Sequence, residues 1–101
     1  MTRFKRLDTQ LGGNQLCEMI LLDSERHEIL KAYELAQAKR HPYPCLAVQI
    51  FVRNVRDGAC APVYRSHAAE LLQFAHDYRI EWLEERIVQE YRRDRDSKAK
   101  P

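Results

Sequence analysis

Four histidines (His27, His41, His67, His76) and three cysteines (Cys17, Cys45, Cys60) are the residues of this 101-residue chain best suited to chemistry. A structural zinc site takes four such ligands, usually as two closely spaced pairs. His41-x3-Cys45 has the spacing of a half-site, but Pro42 and Pro44 constrain the backbone around it and no second close pair completes the set. Ser66 beside His67 does not make a nucleophile and base, because neighbours on a helix point about 100° apart. No oriented carboxylate or oxyanion-hole motif accompanies them. Gly12-Gly13 lacks the rest of any phosphate-binding fingerprint. The expectation is no catalytic residue, no metal site and no cofactor, hence a protein that works by binding.

Two groups of residues are candidates for that binding. Trp82 lies off the apolar stripe of its segment, with Arg86 and Gln89 beside it at helical spacing. Tryptophan flanked by arginine matches the residue types enriched in interface hot spots, which makes Trp82, Arg86 and Gln89 a candidate partner-binding face. The other reading is a rim tryptophan whose face is covered by Arg86 in a cation–π contact. The second group is electrostatic. Net charge is only +2, yet residues 1–11 sum to +2, 12–37 to −3, 38–65 to +4, 66–91 to −4 and 92–101 to +3. An anionic partner would meet the basic block through Lys39, Arg40, Arg53, Arg56 and Arg65, with the Arg-rich tail as a second contact.

The elements that must position these residues are mostly helical. Ala, Leu, Glu, Arg, Lys, Gln and Met supply 55 residues, against 12 from Val, Ile and Thr. Unbranched side chains lose little rotamer freedom on a helix, so the balance favours helices over sheet. Phe4, Leu7 and Leu11 form a short helical stripe halted by Gly12-Gly13, after which Asn14 is a cap candidate. From Leu22 onward, Arg26, Ile29, Leu30, Tyr33, Ala36 and Gln37 repeat at helical spacing, with Asp23 and Ser24 as capping candidates and HPYP at 41–44 as the stop. Residues 15–22 (QLCEMILL) suit either an extension of that helix or a strand before it.

Residues 45–55 (CLAVQIFVRNV) carry two patterns. Leu46, Val48, Ile50 and Val52 alternate as in a buried strand, which would pair with residues 16–22 in a βαβ unit. As a helix, the segment starts with Pro44 at its first position and aligns Gln49, Arg53 and Arg56 as one polar stripe. Overall composition favours the helix.

Residues 66–91 predict a helix pair. Ser66 is a natural cap; Ala68, Leu71, Leu72 and Ala75 make one apolar stripe, and Ile80, Leu83, Ile87 and Tyr91 a second beyond a break near Asp77. Between residues 80 and 91, Glu81, Glu84, Glu85 and Glu90 face only Arg86, and four carboxylates are repelled by a DNA groove. The pair is therefore expected to pack, not to read bases. The spacing Leu71-Leu72-x-x-Ala75-x-x-Tyr78-x-Ile80-x-x-Leu83 resembles the closing helices of BTB/POZ interaction domains over about a quarter of the chain.

The expected architecture is mainly α: a compact domain of about four helices over residues 1–93 with a C-terminal helix pair, then a disordered charged tail over 94–101. The alternative is α+β, with a small sheet from residues 16–22 and 45–55. The opening MTRFKRLDTQLGG has no apolar run of the signal-peptide kind, no segment has the length of a membrane span, and the three cysteines form no CxxC pair. A cytoplasmic protein-binding module is expected, an adaptor, inhibitor or regulator whose partner is another protein or a second copy of itself. A nucleic-acid-associated regulator is the alternative.

Overall fold

The computed structural model describes residues 15–39 and 45–99. The stripe at Phe4, Leu7 and Leu11, the Gly12-Gly13 break, Asn14, Arg40 and the HPYP stop lie outside the described residues. In chain order come β1 (Gln15–Ile20), α1 (Asp23–Ala38), α2 (Leu46–Asp57), β2 (Cys60–Tyr64), a single 3-10 turn (Arg65–His67), α3 (Ala68–Asp77) and α4 (Glu81–Ala99). The fold is mainly α, as the composition implies. Among the described residues, four helices of 16, 12, 10 and 19 residues accompany a small two-stranded antiparallel sheet.

That sheet is not the one the alternative reading built. Residues 15–20 are a strand, but their partner is β2, with Cys17 opposite Val63, Met19 opposite Ala61 and Ile20 opposite Cys60. The ladder is extended by the Leu21 N–H donating to the Ala59 carbonyl at 2.7 Å. Residues 46–57 are the helix α2 instead. Val48, Phe51, Val52 and Val55 fall at i, i+3, i+4 and i+7 and are all buried, while Gln49, Arg53 and Arg56 turn outward together. The 3.6-residue period buries Ala47, Val48, Phe51, Val52 and Val55 on one face and leaves Leu46 exposed, whereas a strand would have divided the buried set between two faces. Cys45 is the N-cap residue, without a side-chain cap bond, and the helix starts at Leu46, two residues later than Pro44 at the first position would place it.

Packing between helices follows from local chemistry at their ends. The N-cap of α1 is Leu22, and neither Asp23 nor Ser24 takes that role. Glu25, three residues on, accepts the Leu22 N–H at 2.9 Å, and Asp23 and Glu25 place negative charge in the first turn, where the helix dipole favours it. Arg26 reaches out of that turn to α2, donating from Nε to the Val55 carbonyl at 2.9 Å and from Nη2 to the Arg56 carbonyl at 3.2 Å. It thereby satisfies last-turn carbonyls that α2 cannot pair itself, and it sets α1 and α2 antiparallel.

The corner between α3 and α4 is a left-handed cap. The Ile80 N–H donates to the Ala75 carbonyl at 2.8 Å and the Arg79 N–H to the His76 carbonyl at 3.2 Å, the paired bonds of a Schellman motif. Arg79 holds φ 58, a conformation that glycine adopts without strain and an L side chain does not. The chain tolerates it because Ile80, the next residue, is buried in the core.

Two expectations change at the C-terminal pair. The charged tail expected to begin at residue 94 continues as helix through Ala99, and Asp94 is tied back to Arg65. Leu72 is only half-buried, while Leu71, Phe74, Ile80, Leu83 and Ile87 fill the core. Leu83→Ala is therefore expected to cost about 2–5 kcal/mol in chemical denaturation, the usual range for a core leucine truncation, and Leu72→Ala clearly less. Equal losses at both positions would contradict the burial of the pair.

Candidate functional site

α4 has three flanks, and only some of the sequence-derived candidates meet them. On the α1 side, the Trp82 indole N–H donates to Glu28 Oε1 at 2.8 Å. The Arg86 guanidinium lies 5.1 Å from the centre of the indole ring and bonds Glu25 Oε2 at 3.2 Å. Trp82 is half-buried against the core. The tryptophan's single donor and its ring face are thus both engaged within the chain, in a seam that joins α4 to α1. Gln89 follows on the same side of α4 and is exposed.

The basic candidates separate. Arg65 is clamped by Asp94 through two parallel bonds, Nε to Oδ2 at 2.9 Å and Nη2 to Oδ1 at 2.6 Å. That hydrogen bonding raises the arginine's pKa and leaves its charge neutralised locally. Arg53 and Arg56 are exposed on α2 and form no ion pair among the described residues, and Lys39 is exposed beyond the end of α1. The basic block is thus divided between an internal clamp and a solvent face, and sequence spacing gave no sign of the Arg65–Asp94 pairing 29 residues apart.

The third flank, between α3 and α4, is open. Ala68, Ala69 and Leu72 of α3 face Ile87, Val88 and Tyr91 of α4 across a groove of about 340 Å³, with Arg92 at its rim. Its alanines keep the two helices' side chains low on one wall, and Tyr91 remains half exposed on the other. At the corner end of the pair, His76 Nδ1 and Glu84 Oε2 are 3.3 Å apart. The sequence carried a signal for this groove in the adjacent pair Leu71-Leu72. Only one of two neighbouring residues on a helix can face the core squarely, so the second lines the rim.

The remaining reactive groups are scattered. No group of three or more His, Cys, Asp or Glu able to hold a metal occurs among the described residues. His27 and His76 are exposed, His67 packs edge-on against Tyr64 at 5.4 Å, and His41 lies outside the described residues. All three cysteines are free thiols. Set against family models, curated proteins and solved structures, the chain matches none of them. The likeness of residues 71–83 to BTB/POZ closing helices rests on spacing alone.

Cys17 has an environment with a measurable consequence. Burial in β1, reinforced by the negative Glu90 and opposed by Arg86 and Arg93, pushes its thiol from 9.0 up to about 11. At pH 8 its thiolate fraction is then on the order of one in a thousand, so iodoacetamide should modify exposed Cys60 well before Cys17 in the native protein. The unfolded chain ionises Cys17 at the lower, ordinary value. This contribution to stability is therefore intact below pH 9 and lost as pH rises from 9 to about 11. Denaturation curves across that window should show a decline that Cys17→Ala flattens.

Proposed function

We propose that this chain is a non-enzymatic protein-binding module, a small cytoplasmic adaptor, inhibitor or regulator, and that it takes its partner in the groove between α3 and α4. The observation that carries the proposal is the open apolar groove itself, lined by Leu72, Val88 and Tyr91 beside the core residues of the same two helices. A cleft between two helices accepts an amphipathic partner helix whose apolar residues recur every three or four positions. Tyr91 supplies an aromatic anchor with a polar tip, the kind of side chain that carries binding energy when a partner covers it. On the other flank Trp82 and Arg86 hold α4 to α1, and exposed Gln89 follows them on that side.

An anionic partner such as a nucleic acid would instead meet Lys39, Arg53 and Arg56. Glu18, Glu28 and Glu34 stand exposed on neighbouring elements and Arg65 is already paired, which weakens that surface. The two outcomes separate in one set of measurements. Proteins recovered with the chain from its native host are expected to be lost with Val88→Asp, which puts a carboxylate in the apolar groove and should weaken binding by about tenfold or more. They should be retained with the double variant Arg53→Ala/Arg56→Ala. Equal recovery by Val88→Asp and the unaltered chain would refute the groove. Nucleic-acid binding tighter than about 1 µM at about 150 mM salt, lost in the arginine double variant, would transfer the function to the basic face.

A further inference from the structure

We infer that the partner taken at the α3–α4 groove is a second copy of this chain, docked antiparallel about a two-fold axis that passes beside Val88. The inference rests on the protein-binding reading of the groove and adds the identity of its partner.

The observation that carries it is the order of charges along the groove edge of α4. Glu81, Glu84, Val88, Arg92 and Arg95 are spaced three, four, four and three residues apart. At about 100° and 1.5 Å per residue they fall within an arc of about 80°, one stripe about 21 Å long. Val88 and Arg92 line the groove itself. The spacing is the same read from either end, while the charge inverts: two carboxylates precede Val88 and two guanidiniums follow it. Glu81, Arg92 and Arg95 are exposed and form no ion pair among the described residues, and Glu84 lies 3.3 Å from the exposed His76. Arg93 and Asp94 are engaged within the chain, by Glu90 and Arg65, and Glu85 and Asp96 fall outside the arc.

A two-fold dimer uses the same patch twice, so the patch must complement itself. This one does so in one direction. Antiparallel α4 helices crossing at Val88 set Glu81 and Glu84 of each copy against Arg92 and Arg95 of the other, at both ends of the contact at once. A parallel pair sets carboxylates against carboxylates and guanidiniums against guanidiniums, which costs affinity. The same axis lays α3 along α3 of the second copy, where Ala68, Ala69 and Leu72 carry no charge and the alanines permit close approach. Leu72, Val88 and Tyr91, still partly exposed in the single chain, are then covered by a four-helix contact. An unrelated amphipathic helix fills the apolar floor equally well, but it matches the charged ends only if it carries this same order of charges.

Sedimentation of the purified chain between about 1 and about 300 µM tests the inference, with Glu84→Lys and Arg92→Glu run separately and as an equimolar mixture. Circular dichroism checks that each variant keeps its helix content. The unaltered chain is expected to dimerise. Either variant alone should raise the dissociation constant about tenfold or more, because its like-charge contact occurs twice per dimer. The mixture should restore the dimer, since every end contact again joins opposite charges. Glu81→Lys with Arg95→Glu repeats the exchange and leaves the His76–Glu84 contact untouched. A chain that stays monomeric throughout overturns the inference; if Val88→Asp still abolishes partner recovery, the protein-binding reading survives and the groove takes a different protein. A dimer indifferent to the single variants, or one that the mixture does not restore, puts self-association on another face or in another direction and overturns the inference equally.

Discussion

Everything in this fold leans on α4. Its inner stripe, Leu83 and Ile87 together with Ile80 just before it, is essentially solvent-free, and its other faces are held by two sets of polar contacts. An indole N–H and a guanidinium reach α1 through Trp82 and Arg86, and a bidentate ion pair from Asp94 holds the 3-10 turn after β2. Apolar burial supplies most of the driving force and is indifferent to direction. The polar contacts fix which way α4 lies, because each requires a specific donor opposite a specific acceptor.

Positioning α4 in this way leaves one of its edges uncovered. α3 is only ten residues long and turns back through a left-handed corner at Arg79, so its small residues Ala68 and Ala69 meet the more distal part of α4 across a gap. The candidate site is thus a consequence of length and residue size. Two antiparallel helices are packed tightly near the corner, where Phe74, Ile80 and Leu83 interlock, and less tightly where alanines oppose Val88 and Tyr91.

Much of the helical architecture was legible because helical periodicity is local. The Ile29, Tyr33, Ala36 spacing and the Leu71, Ala75, Ile80, Leu83 stripes each repeat within one segment, whereas residues 45–55 fit strand and helix patterns alike and only the overall composition favoured the helix. β2 was not legible. CAPVY contains a proline and no run of β-branched residues, and it becomes a strand only because β1, some 40 residues earlier, offers it a ladder. Arg26 and Arg65 were hidden for the same reason. Arg26 read only as one position of a helical repeat and Arg65 as part of the basic block, and their roles as a cap for α2 and a clamp for α4 depend on acceptors about 30 residues away. Trp82 was recognised as unusual from its place off the stripe, but its bond to Glu28 and the bond of the overlying Arg86 to Glu25 join residues more than 50 positions apart and leave no local signal.

With its inner stripe buried and its flanks bonded to α1 and the 3-10 turn, α4 is part of one cooperative unit, so that the groove wall stands ready before any partner arrives. Native-state hydrogen exchange measures this directly, since it assigns an opening free energy to each amide. The amides from Leu83 to Glu90 are predicted to exchange only through global unfolding, with the same opening free energy as those of Phe51 and Val55 in α2. If the α4 amides open at distinctly lower free energy while α2 and the sheet stay protected, the helix is a detachable element, the seam at Trp82 does not hold it, and the preformed groove is contradicted.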